Sequence, residues 1–364
     1  MTVPVITAMG ILSPVASGRE AFLDAWRSGV RAERLADGAE AGGMRVPKFK
    51  ASALFPDQRK QLRRMDRLSK LICSGVALAR DDGPGFGERR ELGISIGTDL
   101  GTLAETWKFV SRLREKGPAL CNPLDFPNLV PNAGAGYAGI FLGLEGPSHT
   151  FCQHETCGDE AVSWIADAIA AGWIDAGLGG GAEELGSTRA LATRRAGGVR
   201  ASEPFAEGSA VLLLETSERA AERGAEPTAR YLGSWGARVP SLRSPLRLPE
   251  RFDGAVTALV RKALDRTGVA ADQIGAVSFS HPTHGGLVEE VRRAVSRDVP
   301  STDHHTRVGC HPGDGAFRVA LAALLLADRT LPVHADSGGC EGSAVLVVTC
   351  ARGGGLRVSV VGAA

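Results

Sequence analysis

The sequence predicts a mixed α/β fold in which helices pack on sheets. Three observations carry this. Short apolar runs closing on glycine or polar turns recur along the chain, as in 92–97 and 175–181. Between them lie longer stretches with apolar residues at helical spacing, clearest in 66–80. The second half then repeats this rhythm of strand and helix.

In order, 5–15 reads as a strand with its exit turn, and Ser17 to Ser28 as a capped helix. Residues 31–60 are rich in glycine, proline and charge and read as a surface excursion. From Asp66 to Arg80, Leu68, Leu71, Ile72, Val76 and Ala79 mark one buried helical face. Leu92 to Gly97 reads as a buried strand, 104–114 as a helix, and 122–135 as an unusually long Pro/Asn/Gly-rich segment. A strand at 149–153, a helix at 157–171 and a strand at 175–181 complete the first half. The second half reads as strand 210–214, helix 252–267, strand 274–280, helix 316–327 and terminal strands 344–349 and 356–361.

Composition narrows the function classes. With 364 residues, 43% hydrophobic and 23% charged, the chain can bury a sizeable core. A formal net charge of +1 argues against nucleic-acid binding and bulk electrostatic attachment to a membrane. No apolar run approaches the roughly 20 residues that span a bilayer, and the apolar opening 3–15 lacks the basic start of a signal peptide. Seven cysteines without paired spacing fit a reduced, cytoplasmic protein. No phosphate-cradling or dinucleotide fingerprint is visible, so no cofactor is expected.

Several strings, in order, resemble the β-ketoacyl-carrier-protein synthases of the thiolase-like fold. The opening Val5-Ile6-Thr7-Ala8-Met9-Gly10 is similar to the family's first strand, and Arg64-Met65-Asp66-Arg67-Leu68-Ser69 to its first core helix. Ile96-Gly97-Thr98-Asp99 resembles the next strand and turn, and Phe126 to Gly136 the loop at the family's dimer region. Gly179-Gly180-Gly181-Ala182-Glu183, Glu203-Pro204-Phe205 and Glu207-Gly208-Ser209 follow in place. The resemblance implies a five-layered α/β/α/β/α sandwich of two similar halves, here 1–215 and 216–364, usually assembled as a dimer.

The resemblance also locates the chemistry. Counting from Gly146-Pro147, the acyl-accepting cysteine's position falls on Glu155, three residues before Gly158. Cys157 sits two residues further along, rotated about 200° from Glu155 on a helix. The position of the first family histidine matches Ser280, with His281 one residue late; that of the second matches Cys310, with His311 one residue late. The family lysine matches His305, and the gating phenylalanine matches Gly338. Claisen condensation by this chain alone is therefore not expected.

Yet six of the eight histidines (His154, His281, His284, His304, His305 and His311) fall in three loops that the resemblance places around the pocket. They could be acid–base partners of Glu155, metal ligands, or satisfied polar residues filling a former pocket. The last reading is favoured, and no metal is expected. Glu155 could equally cap the helix that follows it. The expected function is a non-elongating subunit similar to the chain-length factors of type II polyketide synthases. Its partners would be a ketosynthase in a heterodimer, or itself in a homodimer, and an acyl carrier protein. The alternative is an enzyme of altered chemistry on an acyl or malonyl carrier protein, by Glu155 with His281 or His284 as acid–base pair or by decarboxylation.

Overall fold

The structure is a computed structural model that describes residues 2–36, 38, 40–47, 49–83, 91–195, 205–239, 247–335 and 337–364. Glu203 and Pro204, part of one matched string, lie outside the described residues.

The chain opens with β1 (Val5–Leu12) and α1 (Arg19–Arg27), followed by the short helices α2 (Ala51–Leu54) and α3 (Arg59–Leu62). Next come α4 (Arg67–Asp82), β2 (Gly93–Gly97), α5 (Leu103–Lys116), α6 (Ala133–Leu142) and β3 (Ser148–Phe151). α7 (Cys157–Ala170), β4 (Ala176–Glu183), α8 (Ser187–Arg195), β5 (Gly208–Glu215), α9 (Ser217–Glu222) and β6 (Ala229–Arg238) lead into the second half. There, α10 (Ala255–Thr267), β7 (Ile274–Phe279), α11 (Gly285–Val295), α12 (His304–Arg307), α13 (Gly315–Ala327), β8 (Ala344–Cys350) and β9 (Gly355–Ala363) finish the chain.

The strands join in the order β3-β2-β4-β5-β1-β6-β9-β8-β7. β3, β2 and β4 are parallel, and β5 and β1 then run antiparallel. The other side repeats this: β7 and β8 are parallel, and β9 and β6 are antiparallel. Only two register pairs, Val5 with Arg230 and Ile6 with Ala229, connect β1 to β6. A parallel bridge from Val277 to Ser301 stands where β3 stands beside β2 in the first half. Consequently the turn into α13 occupies the place in the second half that the turn into α7 occupies in the first.

Three apolar clusters mark the helical layers. α7 and α13 pack on each other and on strands of both halves, forming the central cluster. α4 and α6 cover the outer face of the first half, and α10 and α11 that of the second. Helix, sheet, helix, sheet, helix is the five-layered order expected. Residues 315–326 of α13 are all buried, Arg318 included. Between the central turns the backbones almost touch: a Cβ on Gly181 would stand 2.1 Å from the Gly313 carbonyl oxygen, and one on Gly158 2.5 Å from it. Glycine is required there by space.

Some expectations are corrected. α1 starts at Arg19 from Gly18, whose φ is 91°, without a side-chain cap, because Ser17 is still bridged to Leu12 of β1. Asp66 does cap α4, accepting from the Ser69 amide at 2.8 Å. The 31–60 excursion is not all surface: Met44, Val46, Ala51 and Phe55 are buried. The long Pro/Asn/Gly-rich segment runs into α6, whose glycine-rich sequence hides its helicity. β6 is missed because Gly233, Gly236 and its flanking arginines break the strand pattern.

Candidate functional site

The α7 turn begins where β3 ends. His154 takes a φ of 50°, unusual for a non-glycine residue, and turns the chain into the helix. Glu155 lies in the single 3₁₀ turn His154–Thr156 that precedes α7. It does not cap the helix; its carboxylate is captured from the end of β8. Arg352 Nε donates to Glu155 Oε1 at 2.6 Å, and the Arg352 backbone N–H donates to Oε2 at 3.0 Å. Arg352 Nη2 also donates to Asp99 Oδ2 at 2.9 Å, and Asp99 Oδ1 faces His154 Nδ1 at 3.0 Å.

Asp99 itself comes from the turn after β2, where its amide and the Thr98 hydroxyl both donate to the buried Glu183 at the end of β4. Side-chain exposures of 4% for Asp99, 9% for Arg352 and 12% for Glu155 show how far water is removed. Burial opposes the Arg352 charge, but Glu155 and Asp99 outweigh it and hold the guanidinium protonated. The hydrogen bond that His154 donates to Asp99 raises the His154 pKa, and the charges of Asp99 and Glu155 add to this. Asp99 and Glu155 thus share one guanidinium, with the His154 imidazole on the other oxygen of Asp99.

The thiols beside this turn are poor nucleophiles. Cys157 is wholly buried, Sγ lying 3.4 Å from the Pro312 carbonyl oxygen, and burial pushes its thiol well above the usual range. Burial also raises Cys152, although that side chain is exposed. A thiolate is disfavoured at both.

Behind Glu155 lies a second, fully buried charge group. Arg318 Nε donates to Asp314 Oδ1 at 2.9 Å, and its Nη2 reaches Thr349 Oγ1 at 2.8 Å and Asp159 Oδ2 at 3.5 Å. Thr349 in turn donates to Asp159 at 2.8 Å. Burial pushes both carboxyls up while Arg318 draws them back, and the guanidinium stays charged between them. This clamp ties α7 to α13 and β8.

The remaining matched residues divide. Ser280 is buried and bonds strand ends together, exchanging hydrogen bonds with the Cys350 carbonyl and amide at 3.3 and 3.0 Å. His284 does not pair with Glu155. Its Nδ1 accepts from the Leu287 amide at 3.4 Å, capping α11, and Nε2 donates to the Pro249 carbonyl at 2.9 Å, so both nitrogens are used. Gly338 is exposed in a turn closed by the Val333 amide, and a side chain there would meet open space. His305 lies edge-on to His304, with ring centroids 5.9 Å apart.

His281 follows β7. Cys310 is bridged to Phe205, and His311 starts the 3₁₀ turn before α13. Space beside His311, Gly208 and Phe317 amounts to about 10 Å³, room for a single water. Both Glu155 oxygens go to Arg352, and no imidazole is hydrogen-bonded to them among the described residues.

Sequence reasoning overlooked Arg352, Asp99, Asp314 and Arg318. Only Arg318 carried a signal, a lone cation in the apolar run Ala316 to Ala327, which demands a buried counter-charge.

Fold and turn together define a ketosynthase-like protein, and relatives agree. The family model for the N-terminal domain of β-ketoacyl synthases matches residues 4–220. The chain is 30% identical over 374 residues to 3-oxoacyl-[acyl-carrier-protein] synthase 2 of Vibrio cholerae, covering 90% of this chain and 87% of the relative. In structure it is similar, over the full length of both chains, to the ishigamide ketosynthase/chain length factor, with a TM-score of 0.84 at 19% identity. It is likewise similar to a β-ketoacyl synthase from Burkholderia phymatum, with a TM-score of 0.87 at 19% identity and full coverage of both. The chain belongs to the β-ketoacyl synthase family and has its thiolase-like fold.

Proposed function

We propose that this chain is a non-elongating, chain-length-factor-like subunit for a ketosynthase of fatty-acid or polyketide-type synthesis, with Glu155 standing where the acyl-accepting cysteine would be. One observation carries the reading: the Glu155 carboxylate is already spent on Arg352, through a side-chain ion pair and a backbone hydrogen bond. A carboxylate with both oxygens so held is not free to attack an acyl carbon, and it closes the turn where an acyl group would attach.

A partner surface is consistent with it. β3 is an outermost strand whose outer edge pairs with no other strand among the described residues. α6, which packs beside β3, exposes Ile140, and Trp107, Leu120, Leu124 and Phe126 are also exposed, all five by 58 to 75%. Exposed apolar side chains together with an open strand edge suit a second synthase-fold chain. In this reading 1–215 and 216–364 are the two halves, and an acyl carrier protein delivers substrate to the partner's cysteine. Acid–base catalysis by Glu155 with His281 or His284 is disfavoured by the engagement of Glu155 and His284 described above.

Intact-mass analysis tests this. Malonyl- and acyl-loaded carrier proteins incubated with the chain alone should keep their masses. Adding a ketosynthase that co-purifies with it should yield condensed product. Loss of carbon dioxide or of the acyl group with the chain alone, abolished in Glu155→Ala, would overturn the proposal.

A further inference from the structure

We propose that His304, Cys310 and Asp314, in the turn leading to α13, form a binding site for one borderline-soft divalent cation, best matched by zinc. One donor atom from each residue lies within 4.8 Å of the other two. Ligands of a tetrahedral zinc at about 2.0–2.3 Å stand about 3–4 Å apart, a spacing that small side-chain rotations reach.

The His304 imidazole provides a second, independent observation. It is fully buried, and Nε2 has no hydrogen-bond partner. Its other nitrogen, Nδ1, lies 3.0 Å from Thr302 Oγ1, whose own proton goes to Ser278 Oγ at 2.9 Å. With Thr302 accepting from Nδ1–H, the Nε2 lone pair is left to ligate. A ring nitrogen fixed by a second partner, with the opposite lone pair presented, is how metal-binding histidines are held. Orphaning a polar atom in a fully buried position is costly otherwise.

Asp159 and Asp314 flank the Arg318 guanidinium in a fully buried group, so the site lies among charged side chains already held in place. A divalent cation would bind with Cys310 as its thiolate. The thiol proton passes to solvent as the sulfur–metal bond forms, and no electron is transferred. Because Arg318 Nε holds Asp314 Oδ1, Oδ2 would be the ligating oxygen. Three protein ligands leave a fourth position open. The site needs only the isolated chain, so its test is separate from that of the subunit role.

The experiment uses the full chain, stripped with a chelator and titrated with Co²⁺ or Zn²⁺. One ion per chain is expected, and cobalt should show a thiolate charge-transfer band with the intense visible bands of a four-coordinate ion. Cys310→Ser should abolish the charge-transfer band and weaken binding at least tenfold. Thr302→Val should keep the band and weaken binding about 10- to 100-fold. Independently of any variant, Zn²⁺ should protect Cys310 of the unaltered protein from alkylation, read by peptide mass. Absence of stoichiometric binding, a band that survives Cys310→Ser, or alkylation of Cys310 unaffected by Zn²⁺ would each overturn the site.

Discussion

Arg352→Met removes the cation that joins Glu155 and Asp99 and leaves two nearly buried carboxylates facing each other. What remains includes one backbone hydrogen bond to Glu155 and the His154 imidazole on Asp99. Taking one partner from a buried ion pair costs about 3–5 kcal/mol; the residual exposure and the imidazole place this case near about 3 kcal/mol. Glu155→Gln keeps the shape and one acceptor and should cost about 1 kcal/mol. In the double variant the repulsion is gone, so the two losses should not add. A coupling of about 2 kcal/mol is expected from a urea-denaturation double-mutant cycle with unchanged slopes. Coupling below about 0.5 kcal/mol would mean that Arg352 does not neutralise Glu155, and the plugged-site reading would fail.

His154 has a folded-state pKa above its ordinary value of 6.5, chiefly through Asp99. Its contribution is therefore complete below about pH 6.5 and lost as pH rises through the raised value. Unaltered protein should exceed His154→Gln in stability more at pH 6 than at pH 9; an equal difference at both would contradict the pairing. Native protein treated with iodoacetamide should be modified at exposed Cys152 long before buried Cys157, and peptide mapping showing Cys157 first would refute the burial argument. Gly181→Ala drives a methyl group into the Gly313 carbonyl and should cost about 3 kcal/mol or more, whereas Gly136→Ala, with open space around it, should leave the melting temperature unchanged or raise it. If the proposed subunit role holds, Phe126→Asp with Ile140→Glu should leave the fold intact but abolish pairing with a second synthase-fold chain in sedimentation; pairing that persists would exclude this face.

Helices α4, α7 and α13 and the buried strands were legible because each buries a face whose period is written locally. The stripe of Leu68, Leu71, Ile72 and Val76 in α4 and the apolar run of β5 are examples. The glycine run of β4 marked a close backbone approach without saying what approaches; only folding brings the Gly313 carbonyl against Gly181. α6, α11 and β6 escaped because glycine and surface charge blur their periods, and packing overrides that weak local preference.

The sequence by itself determined the family, through an ordered set of strings, and it put a carboxylate at the turn into α7. It could not assign that carboxylate a partner. Arg352 lies 197 positions away and Asp99 another 56 in the opposite direction, and no local pattern links them. His284, grouped by sequence with the other histidines, is drawn off to cap α11, while His304, Cys310 and Asp314 converge across two turns. Ion pairing and metal ligation depend on distance in space and on burial that strips away water, and both are set only when the two halves close around α7 and α13.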